Sequence, residues 1–482
     1  MQFIMTDPKR PLIEALTKFK EANPISLHVP GHKNGMLSGL PTELRAALQY
    51  DFTELEGLDD LHEPTGVIEE AQQKLSDLYG SERSFFLVNG STVGNLAMVY
   101  AACQAGETVI VQRNAHKSIF HAIELTGARP VFVSPMWDQN TMTAGAVTAI
   151  QVGKALEAYP DAKAVILTHP TYYGVTGIEL EETIRLCHRY GVPVMVDEAH
   201  GAHFVVGEPF PRSALEMGAD VVVHSAHKTL PAMTMASFLH VCSDFIAVEK
   251  VAHYLGMLQS SSPSYLLMAS LDDARAFAES YNEEDKNTFM EQRMHFIKQL
   301  ELIPGLQTVE TDDPLKLILR IQGYSGFTIQ KKLEAVGIYG EIADPYQVLF
   351  VLPLLKTKVL YPFDEIYKKI AIEVASLDES ERTIKGVAVL PLDEALSCLA
   401  YLPGEIAQME LEWVPYAESA GRVAAASIIP YPPGIPLLLA GEVVMDRHIH
   451  MLGELLHMGA KFQGAIRINE RQLVVVKNRT EE

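Results

Sequence analysis

The chain has 482 residues, of which 48% are hydrophobic and 21% are charged, a composition typical of a globular enzyme with two or three domains. Its net charge of −22 argues against general nucleic-acid binding and is compatible with a cationic substrate. The sequence has no apolar run of membrane-spanning length, no signal-peptide pattern and no Cys-x-x-Cys pair among its four cysteines. We therefore expect a cytoplasmic protein with neither a membrane nor a nucleic-acid partner.

Apolar strands alternate with amphipathic helices from about residue 55 to residue 238. The predicted strands are Ser84–Val88, Thr108–Gln112, Arg129–Val133, Ala164–Thr168, Pro193–Asp197, Val221–Ser225 and Ala236–Val241. Helices are predicted between most of them, for example at Ser91–Gln104 and Glu181–Tyr190. The alternation predicts an α/β fold with a doubly wound, mainly parallel sheet, in which ligands bind at the carboxyl ends of the strands.

The pattern changes in the second half of the chain. A polar helix predicted from Leu271 to Leu302 leads out of the large domain, and shorter elements follow at Leu315–Gln322, Thr328–Val336 and Gln347–Leu352. Proline-rich punctuation comes later, at Tyr431–Pro436. We expect an N-terminal arm (1–54), a large domain (55–285), a small α/β domain (286–376) and a C-terminal domain (377–482), the last two being smaller α+β units.

An acid and a lysine follow two of the buried strands. Asp197 ends the run that begins at Val192, and Lys228 lies in the turn after Val221–Val223. Pyridoxal 5'-phosphate (PLP) needs this pair, because a lysine forms its Schiff base and a carboxylate keeps its ring nitrogen protonated. Either residue alone would more often be structural. Their joint occurrence, with Ser225 and His227 beside the lysine, favours a PLP site in the large domain.

Other motifs at strand ends allow more than one interpretation. The turn Asn89–Asn95 opens a helix and could hold a phosphate through Ser91 and Thr92, or it could be an ordinary helix cap. His116 could stack on a flat cofactor or lie in the core. Asp197, His200 and His203 are spaced like metal ligands, as are His28 and His32, but a metal site would leave Lys228 without a role.

Together these motifs resemble the Orn/Lys/Arg decarboxylase family, PLP enzymes of the aspartate-aminotransferase fold type. The resemblance covers nearly the whole chain in order and is strongest to the short Gram-positive-type members, which lack an N-terminal response-regulator-like wing. The segments that carry it are His28–Lys33, Asn89–Thr92, Arg113–Ser118, Thr171–Gly174, Asp197–His203, Ser225–Thr229, Gln259–Pro263, Gly421–Val423 and Tyr431–Pro436.

The resemblance implies a lyase of polyamine biosynthesis that decarboxylates arginine, lysine or ornithine. Lys228 would carry PLP, Asp197 would pair with the ring nitrogen, and His116 and Ala199 would face the two sides of the ring. Ser261, in the run Ser260–Ser262, would reach a phosphate across a dimer interface, which implies a homodimer with shared active sites. The remaining cofactor-binding residues would be Ser91, Thr92, His200, Ser225 and His227, with Lys228, Asp197 and His116 as the catalytic set.

Two departures from the family pattern concern the substrate. Met235 stands where glutamine is common, and Ala440 replaces a proline before Gly441-Glu442. Glu442 is a candidate to bind the basic side chain, although it could equally be a surface acid. The alternative functions are another PLP reaction, an inactive paralogue and a metal hydrolase. An aminotransferase would need an arginine that binds the substrate carboxylate, and nothing in the sequence marks Arg320 or Arg382 for that role.

Overall fold

The computed structural model describes residues 8–382, 396–430, 435–457, 460–464, 467 and 470–478, so Tyr431–Gly434 of the proline-rich motif lie outside the described residues. The helices are α1 Pro11–Glu21, α2 Thr42–Ala47, α3 Val67–Tyr79, α4 Gly90–Ala102, α5 Lys117–Thr126, α6 Ala149–Ala158, α7 Leu180–Arg189, α8 Ala226–Thr229, α9 Val248–Leu258, α10 Tyr265–Glu279, α11 Glu283–Leu300, α12 Gly326–Ala335, α13 Phe363–Ala375, α14 Pro403–Ile406 and α15 Asp446–His457. The strands are β1 Arg83–Leu87, β2 Thr108–Gln112, β3 Arg129–Val133, β4 Trp137–Asp138, β5 Thr143–Ala144, β6 Ala164–Thr168, β7 Val194–Asp197, β8 Val221–His224, β9 Ser237–Val241, β10 Leu306–Glu310, β11 Lys316–Ile321, β12 Ile342–Ala343, β13 Val348–Val351, β14 Leu396–Cys398, β15 Leu411–Pro415, β16 Ile429–Pro430, β17 Phe462–Gln463 and β18 Gln472–Val476.

The chain divides into two compact units. Unit 1 comprises Met1–Ala102 and Leu180–Asn282, and unit 2 comprises Cys103–Glu179 and Glu283–Glu482. The predicted domain boundaries at residues 54, 285 and 376 stay predictions. None of the described helices combines the length and apolarity that crossing a membrane requires.

In unit 1 the strand order is β1-β9-β8-β7. Strands β7 and β8 are parallel, whereas β9 runs antiparallel to both β8 and β1. The twelve residues that link β8 to β9 contain only the single turn of α8, and no longer helix that could form the usual crossover to a parallel strand. Helix α4 packs closely on these strands at Gly94, where a Cβ atom would lie 2.8 Å from Leu87 Cδ1 and 2.9 Å from Val223 Cγ1.

In unit 2 one set of strands has the order β6-β2-β3-β14. Strand β2 is parallel to both β6 and β3, and β14 pairs antiparallel with β3. A separate antiparallel sheet has the order β10-β11-β13-β12. The strands β15 and β18 pair near the end of the chain, beside a small apolar core that includes Ile428, Leu438, Val444, Leu452 and Val475.

The predicted polar helix from Leu271 to Leu302 is wrong as a single element. The structure has two helices there, α10 and α11, separated by residues 280–282. Ser280 ends α10 and its hydroxyl donates to the Ala276 carbonyl, which satisfies an acceptor of the last turn. Three acids, Glu283, Glu284 and Asp285, then occupy the first turn of α11, where the helix dipole favours negative charge.

We expect Asp59→Ala to lower the free energy of unfolding by about 2 kcal/mol. The Asp59 carboxylate caps α3 and accepts hydrogen bonds of 2.8–3.2 Å from the backbone N–H groups of Asp60, Thr65, Gly66, Ile68 and Glu69. Urea denaturation measures the loss. The matched control is Asp60→Ala, since the Asp60 side chain accepts a hydrogen bond from the His62 N–H at 2.8 Å; an equal loss in both variants would contradict the capping role.

The stabilisation by Asp59 should depend on pH. Burial acts to raise the pKa of Asp59, but the backbone hydrogen bonds outweigh it and hold the pKa below its usual value. A carboxyl group with a lowered folded-state pKa stabilises the protein above the pKa of the unfolded chain, and this contribution is lost as the pH falls through the folded-state value. The difference in the free energy of unfolding between wild type and Asp59→Ala should therefore become smaller as the pH is lowered into the acidic range.

Candidate active site

Lys228 and His200 meet at the carboxyl ends of two parallel strands. Lys228 lies on the single turn of α8 directly after β8, and His200 lies in the turn after β7. Lys228 Nζ is 3.0 Å from His200 Nε2, and His200 is buried. An amine is a nucleophile only when it is uncharged, so an imidazole at this distance can take or share its proton.

Asp197 is the last residue of β7, and its side chain is buried, with 3% of its surface exposed. The carboxylate accepts a hydrogen bond from Asn95 Nδ2 at 3.0 Å and one from the Ala199 N–H at 3.2 Å. Burial raises the pKa of Asp197, while the charge of Lys228 and the Asn95 hydrogen bond act to lower it. A cationic ring nitrogen is the kind of partner that stabilises a buried carboxylate of this sort.

Two serine hydroxyls meet beside the N-terminus of α4. The helix begins at Gly90, whose φ of +77° favours glycine, and Ser91 lies in its first turn. Ser225, directly after β8, donates from Oγ to Ser91 Oγ at 2.7 Å. Hydroxyl groups beside the first N–H groups of a helix suit a phosphate. Thr92 is exposed on the same turn, and His227 Nδ1 donates to the Ala236 carbonyl at 3.1 Å.

Two further predicted cofactor residues have contacts of their own. His116 belongs to unit 2, where its side chain caps α5 by accepting from the Ser118 N–H and its ring centroid lies 6.4 Å from that of Tyr172. Ser261 is exposed in unit 1, next to Ser260, whose N–H donates to Asn89 Oδ1 of the same chain at 3.3 Å. The stacking role of His116 and the phosphate role of Ser261 stay predictions.

The histidines of the alternative metal interpretation have other neighbours. His32 Nε2 lies 3.1 Å from Asp51 Oδ2, and the ring of His203 packs edge-on against Phe204 and Phe210. His28 Nδ1 is 3.3 Å from Thr53 Oγ1. In the described part of the chain, no three or more His, Cys, Asp or Glu side chains are grouped so that they could hold a metal ion.

Glu442 is already engaged within unit 2. Arg113 Nε and Nη2 donate to its two carboxylate oxygens at 2.9 and 2.8 Å, and the Leu439 N–H adds a further hydrogen bond at 2.8 Å. Both side chains are largely buried. Arg113 thus already pairs with the charge of Glu442, and the suggestion that Glu442 is the acid for a basic substrate stays a prediction.

We expect Glu442→Gln and Arg113→Met each to lower the free energy of unfolding by about 3 kcal/mol, because each leaves the other group buried without its charge partner. The double variant should lose clearly less than the sum of the two single losses, since it leaves no unpaired charge. Urea denaturation of the four proteins measures the coupling. Strictly additive losses would contradict the ion pair as the reason for the burial of these groups.

Three residues of the site had no role assigned from the sequence. Asn95 positions Asp197, and Glu198 and His224 lie buried beside it. An amide within the otherwise apolar stretch Val93–Val99 of α4 was a signal for Asn95. Asp197 and Glu198 are adjacent acids, so the pattern alone could not tell which one faces the site. Met235, which stands where the family commonly has glutamine, has 44% of its surface exposed and a backbone φ of +79°.

Known sequences match the chain over most of its length. The family model described as Orn/Lys/Arg decarboxylase, major domain, matches residues 10–312, and the C-terminal domain of the same family matches residues 381–465. An arginine decarboxylase of Bacillus anthracis is 33% identical, over 97% of this chain and 97% of its own length. The uncharacterized protein YaaO of Bacillus subtilis (strain 168) is 46% identical, over 96% of this chain and 98% of its own.

Solved structures share the fold at low sequence identity. The lysine decarboxylase LdcF of Francisella novicida is 19% identical and superposes with a TM-score of 0.76, covering 97% of this chain and 81% of its own. The serine palmitoyltransferase of Sphingomonas wittichii, at 16% identity, has a TM-score of 0.51 over 65% of this chain and 77% of its own. The predicted α/β fold is thus confirmed, and the chain belongs to the Orn/Lys/Arg decarboxylase family.

Proposed function

We propose that this protein is a PLP-dependent decarboxylase that converts arginine, lysine or ornithine into the corresponding amine and CO₂. The arginine decarboxylases among its relatives support the substrate class, and the serine palmitoyltransferase fold with PLP supports the cofactor. The observation that carries the proposal is the geometry at the ends of β7 and β8. There Lys228 lies 3.0 Å from His200, and a buried Asp197 is held by Asn95.

The side chains of unit 1 described above are chemically suited to hold PLP. Lys228 would bind its aldehyde carbon covalently, and Asp197 would accept the hydrogen bond of the protonated ring nitrogen. Ser91 and Ser225 would hold the phosphate with the first N–H groups of α4, assisted by Thr92 and His227. Ala199 has a small side chain suited to lie flat against the ring. By family resemblance, His116 and Ser261 would complete the set.

When bound, PLP supplies a cationic ring that accepts the electron pair left at Cα as CO₂ departs. The remaining work belongs to side chains of the protein. Asp197 stays ionised so that the positive charge of the ring nitrogen is retained. His200 and Lys228, with their nitrogens 3.0 Å apart, hold the proton that is returned to Cα. The burial of Asp197 and His200 keeps water from these groups.

Product analysis tests this function. Purified protein with PLP is incubated separately with arginine, lysine and ornithine, and amine and CO₂ are measured. Agmatine, cadaverine or putrescine in equal amount with CO₂ would support the proposal and identify the substrate. A keto acid without CO₂ would instead favour an aminotransferase. The two arginines considered for that role have other contacts: Arg320 Nε donates to Gln347 Oε1 at 2.7 Å, and the exposed Arg382 lies over the Tyr324 ring.

We place the reaction in the cytoplasm, in keeping with the four free cysteines Cys103, Cys187, Cys242 and Cys398. The enzyme acts there as a homodimer. Large apolar side chains are exposed within a short segment of the predicted N-terminal arm, with Ile25 at 92%, Leu27 at 95% and Met36 at 84%. Apolar groups clustered in this way mark interfaces, and a second copy of the chain is the partner that the family resemblance implies.

We expect Leu27→Asp combined with Met36→Asp to convert the dimer into a monomer, because each buried charge costs several kcal/mol at an interface. Sedimentation velocity measures the change. Ile178→Asp is the matched control, since Ile178 is 99% exposed but lies outside the arm. A wild-type protein that sediments as a monomer would rule out the dimer, and a dimer retained by the double variant would exclude the arm as its interface.

A further inference from the structure

Unit 2 contains a cavity that none of the steps outlined above involves. Its volume is about 320 Å³, within the range of sites that bind small molecules. All the described residues that line it belong to unit 2, so Lys228, Asp197 and His200 of unit 1 are not part of its wall. Much of the wall is apolar and includes Trp137 and Ile435. The charged groups in the wall therefore decide which ligand the cavity suits.

Three of these charged groups are already engaged. Arg113 and Glu442 form the ion pair described above. The Asp344 carboxylate accepts hydrogen bonds from Tyr173 Oη at 2.6 Å, from Gln347 Nε2 at 2.9 Å and from two backbone N–H groups at 2.7 and 3.1 Å. Four donors match the number of lone-pair sites on a carboxylate. These three groups shape the cavity, and other charged groups are better placed to select a ligand.

Two further charged groups of the wall lie on one face of α15. Arg447, Met451 and Glu454 line the cavity at spacings of four and three residues, which places them in a row along the helix. The rise from Arg447 to Glu454 is about 10 Å. His450 Nδ1 lies 3.8 Å from Glu454 Oε2, too far for a hydrogen bond. The row thus has a guanidinium near one end, a carboxylate near the other and an apolar side chain between them.

The order of these two charges is unfavourable for the helix itself. The N-terminus of a helix favours an anion and the C-terminus a cation, but Arg447 lies in the first turn of α15 and Glu454 in the last. Asp446 and His457 follow the favourable order, and neither belongs to the described wall of the cavity. The unfavourable order is therefore found at the residues that line the cavity, where a ligand of complementary charge would offset its cost.

His448, which also lines the cavity, adds a hydrogen-bond donor next to Arg447 in the chain. Its Nδ1 atom accepts a hydrogen bond from the Met445 N–H at 3.2 Å, so the proton of the neutral ring lies on Nε2. Burial lowers the pKa of His448 to about 4, which keeps the ring neutral at pH 7. A guanidinium with an N–H donor beside it suits the carboxylate of a ligand.

We propose that the cavity of unit 2 binds, without covalent reaction, an amino acid with a cationic group at the end of its side chain, such as lysine. Arg447 and His448 bind the carboxylate of this ligand, and Glu454 binds its terminal cation. Met451 packs against the aliphatic chain between the two ends. The inference goes beyond the proposed function, because it assigns a second amino-acid site to residues that take no part in the reaction.

Trp137 reports on this cavity by fluorescence. The chain has two tryptophans, Trp137 in the wall of the cavity and Trp413 on β15. In Trp413→Phe, the emission of Trp137 is titrated with lysine after the protein with PLP has been treated with borohydride, so that no amino acid is turned over. We expect a saturable change in emission. Norleucine, which is lysine without its terminal ammonium, and cadaverine, which is lysine without its carboxylate, should each bind about tenfold more weakly.

Substitutions on α15, made in Trp413→Phe, connect each end of the ligand with its residue. Glu454→Gln should weaken the binding of lysine about tenfold and leave that of norleucine unchanged. Arg447→Gln should weaken the binding of lysine to a similar extent and leave that of cadaverine unchanged. Asp446→Asn is the matched control, because it makes an acid-to-amide change on α15 outside the described wall, and it should bind all three ligands normally.

Three results would overturn the inference. They are an emission that lysine does not change, lysine bound no better than norleucine and cadaverine, and losses in Glu454→Gln or Arg447→Gln that are equal for all ligands, which would mean a packing role. Urea denaturation shows that the variants compared are folded. A protein that binds lysine as expected but forms no adduct with PLP would overturn the proposed function alone, a result distinct from these.

Discussion

Lys228→Ala should lower the rate of amine formation by about 10⁴-fold, the upper range of what a proton-transferring side chain contributes. The variant loses both the amine that would hold PLP covalently and the partner of His200 in the proton-holding pair. Turnover numbers measured with saturating PLP and the preferred amino acid give the effect. PLP should also be lost from the variant on dialysis, since only non-covalent contacts would retain it.

Lys228→Arg is the matched control for this substitution. A guanidinium keeps the positive charge near Asp197 but cannot act as a nucleophile at neutral pH. We therefore expect it to be as inactive as Lys228→Ala. Activity well above a trace in either variant would mean that Lys228 is not the residue that carries the cofactor.

Asp197→Asn should lower the turnover number by about 10²- to 10³-fold, the usual cost of losing one preorganised electrostatic contact in an active site. The amide has nearly the same shape as the carboxylate, but it carries no charge to stabilise a protonated ring nitrogen. Because the site is buried and Asn95 remains in place, the loss should appear in turnover more than in folding. Steady-state kinetics and urea denaturation of the same preparations separate the two.

Asp220→Asn tests whether any buried acid in unit 1 would give the same result. Asp220 is buried just before β8, at the ends of β7 and β8 that lie opposite to Asp197. Its Oδ2 atom contacts His188 Nε2 at 2.8 Å and accepts a hydrogen bond from the Val194 N–H at 2.7 Å. We expect this variant to be less stable but to turn over normally when folded. If it lost as much turnover as Asp197→Asn, the electrostatic role of Asp197 would be contradicted.

The strands were largely predictable from the sequence. The bounds of β2, β3 and β6 are those predicted, because apolar β-branched runs there end at clear turns. Two features depended on information that local pattern does not carry. The antiparallel direction of β9 goes with a connection from β8 that contains no crossover helix, and the break between α10 and α11 depends on capping at Ser280 within a continuous helical pattern.

The candidate site was partly predictable for a related reason. Asp197, Lys228 and Ser225 each follow a strand, so the general rule for parallel sheets was enough to bring them together. Glu442 shows the limit of that reasoning, because its partner Arg113 is far away in the sequence and only the folded chain pairs them. Glu198 and His224 were missed for the same reason. Their side chains come within 3.5 Å of each other only because β7 and β8 pair in the folded chain. In the sequence, His224 is a histidine in an apolar run, and such a residue usually lies in the core.

Reductive trapping tests the central claim most directly. The protein with bound PLP is treated with borohydride, which makes the bond between a lysine and the cofactor permanent, and it is then digested and mapped by mass spectrometry. We predict one pyridoxyl group per chain, on Lys228, with none trapped in Lys228→Arg. A group attached to another lysine, or no group on a protein that still forms amine, would contradict the assignment of this site.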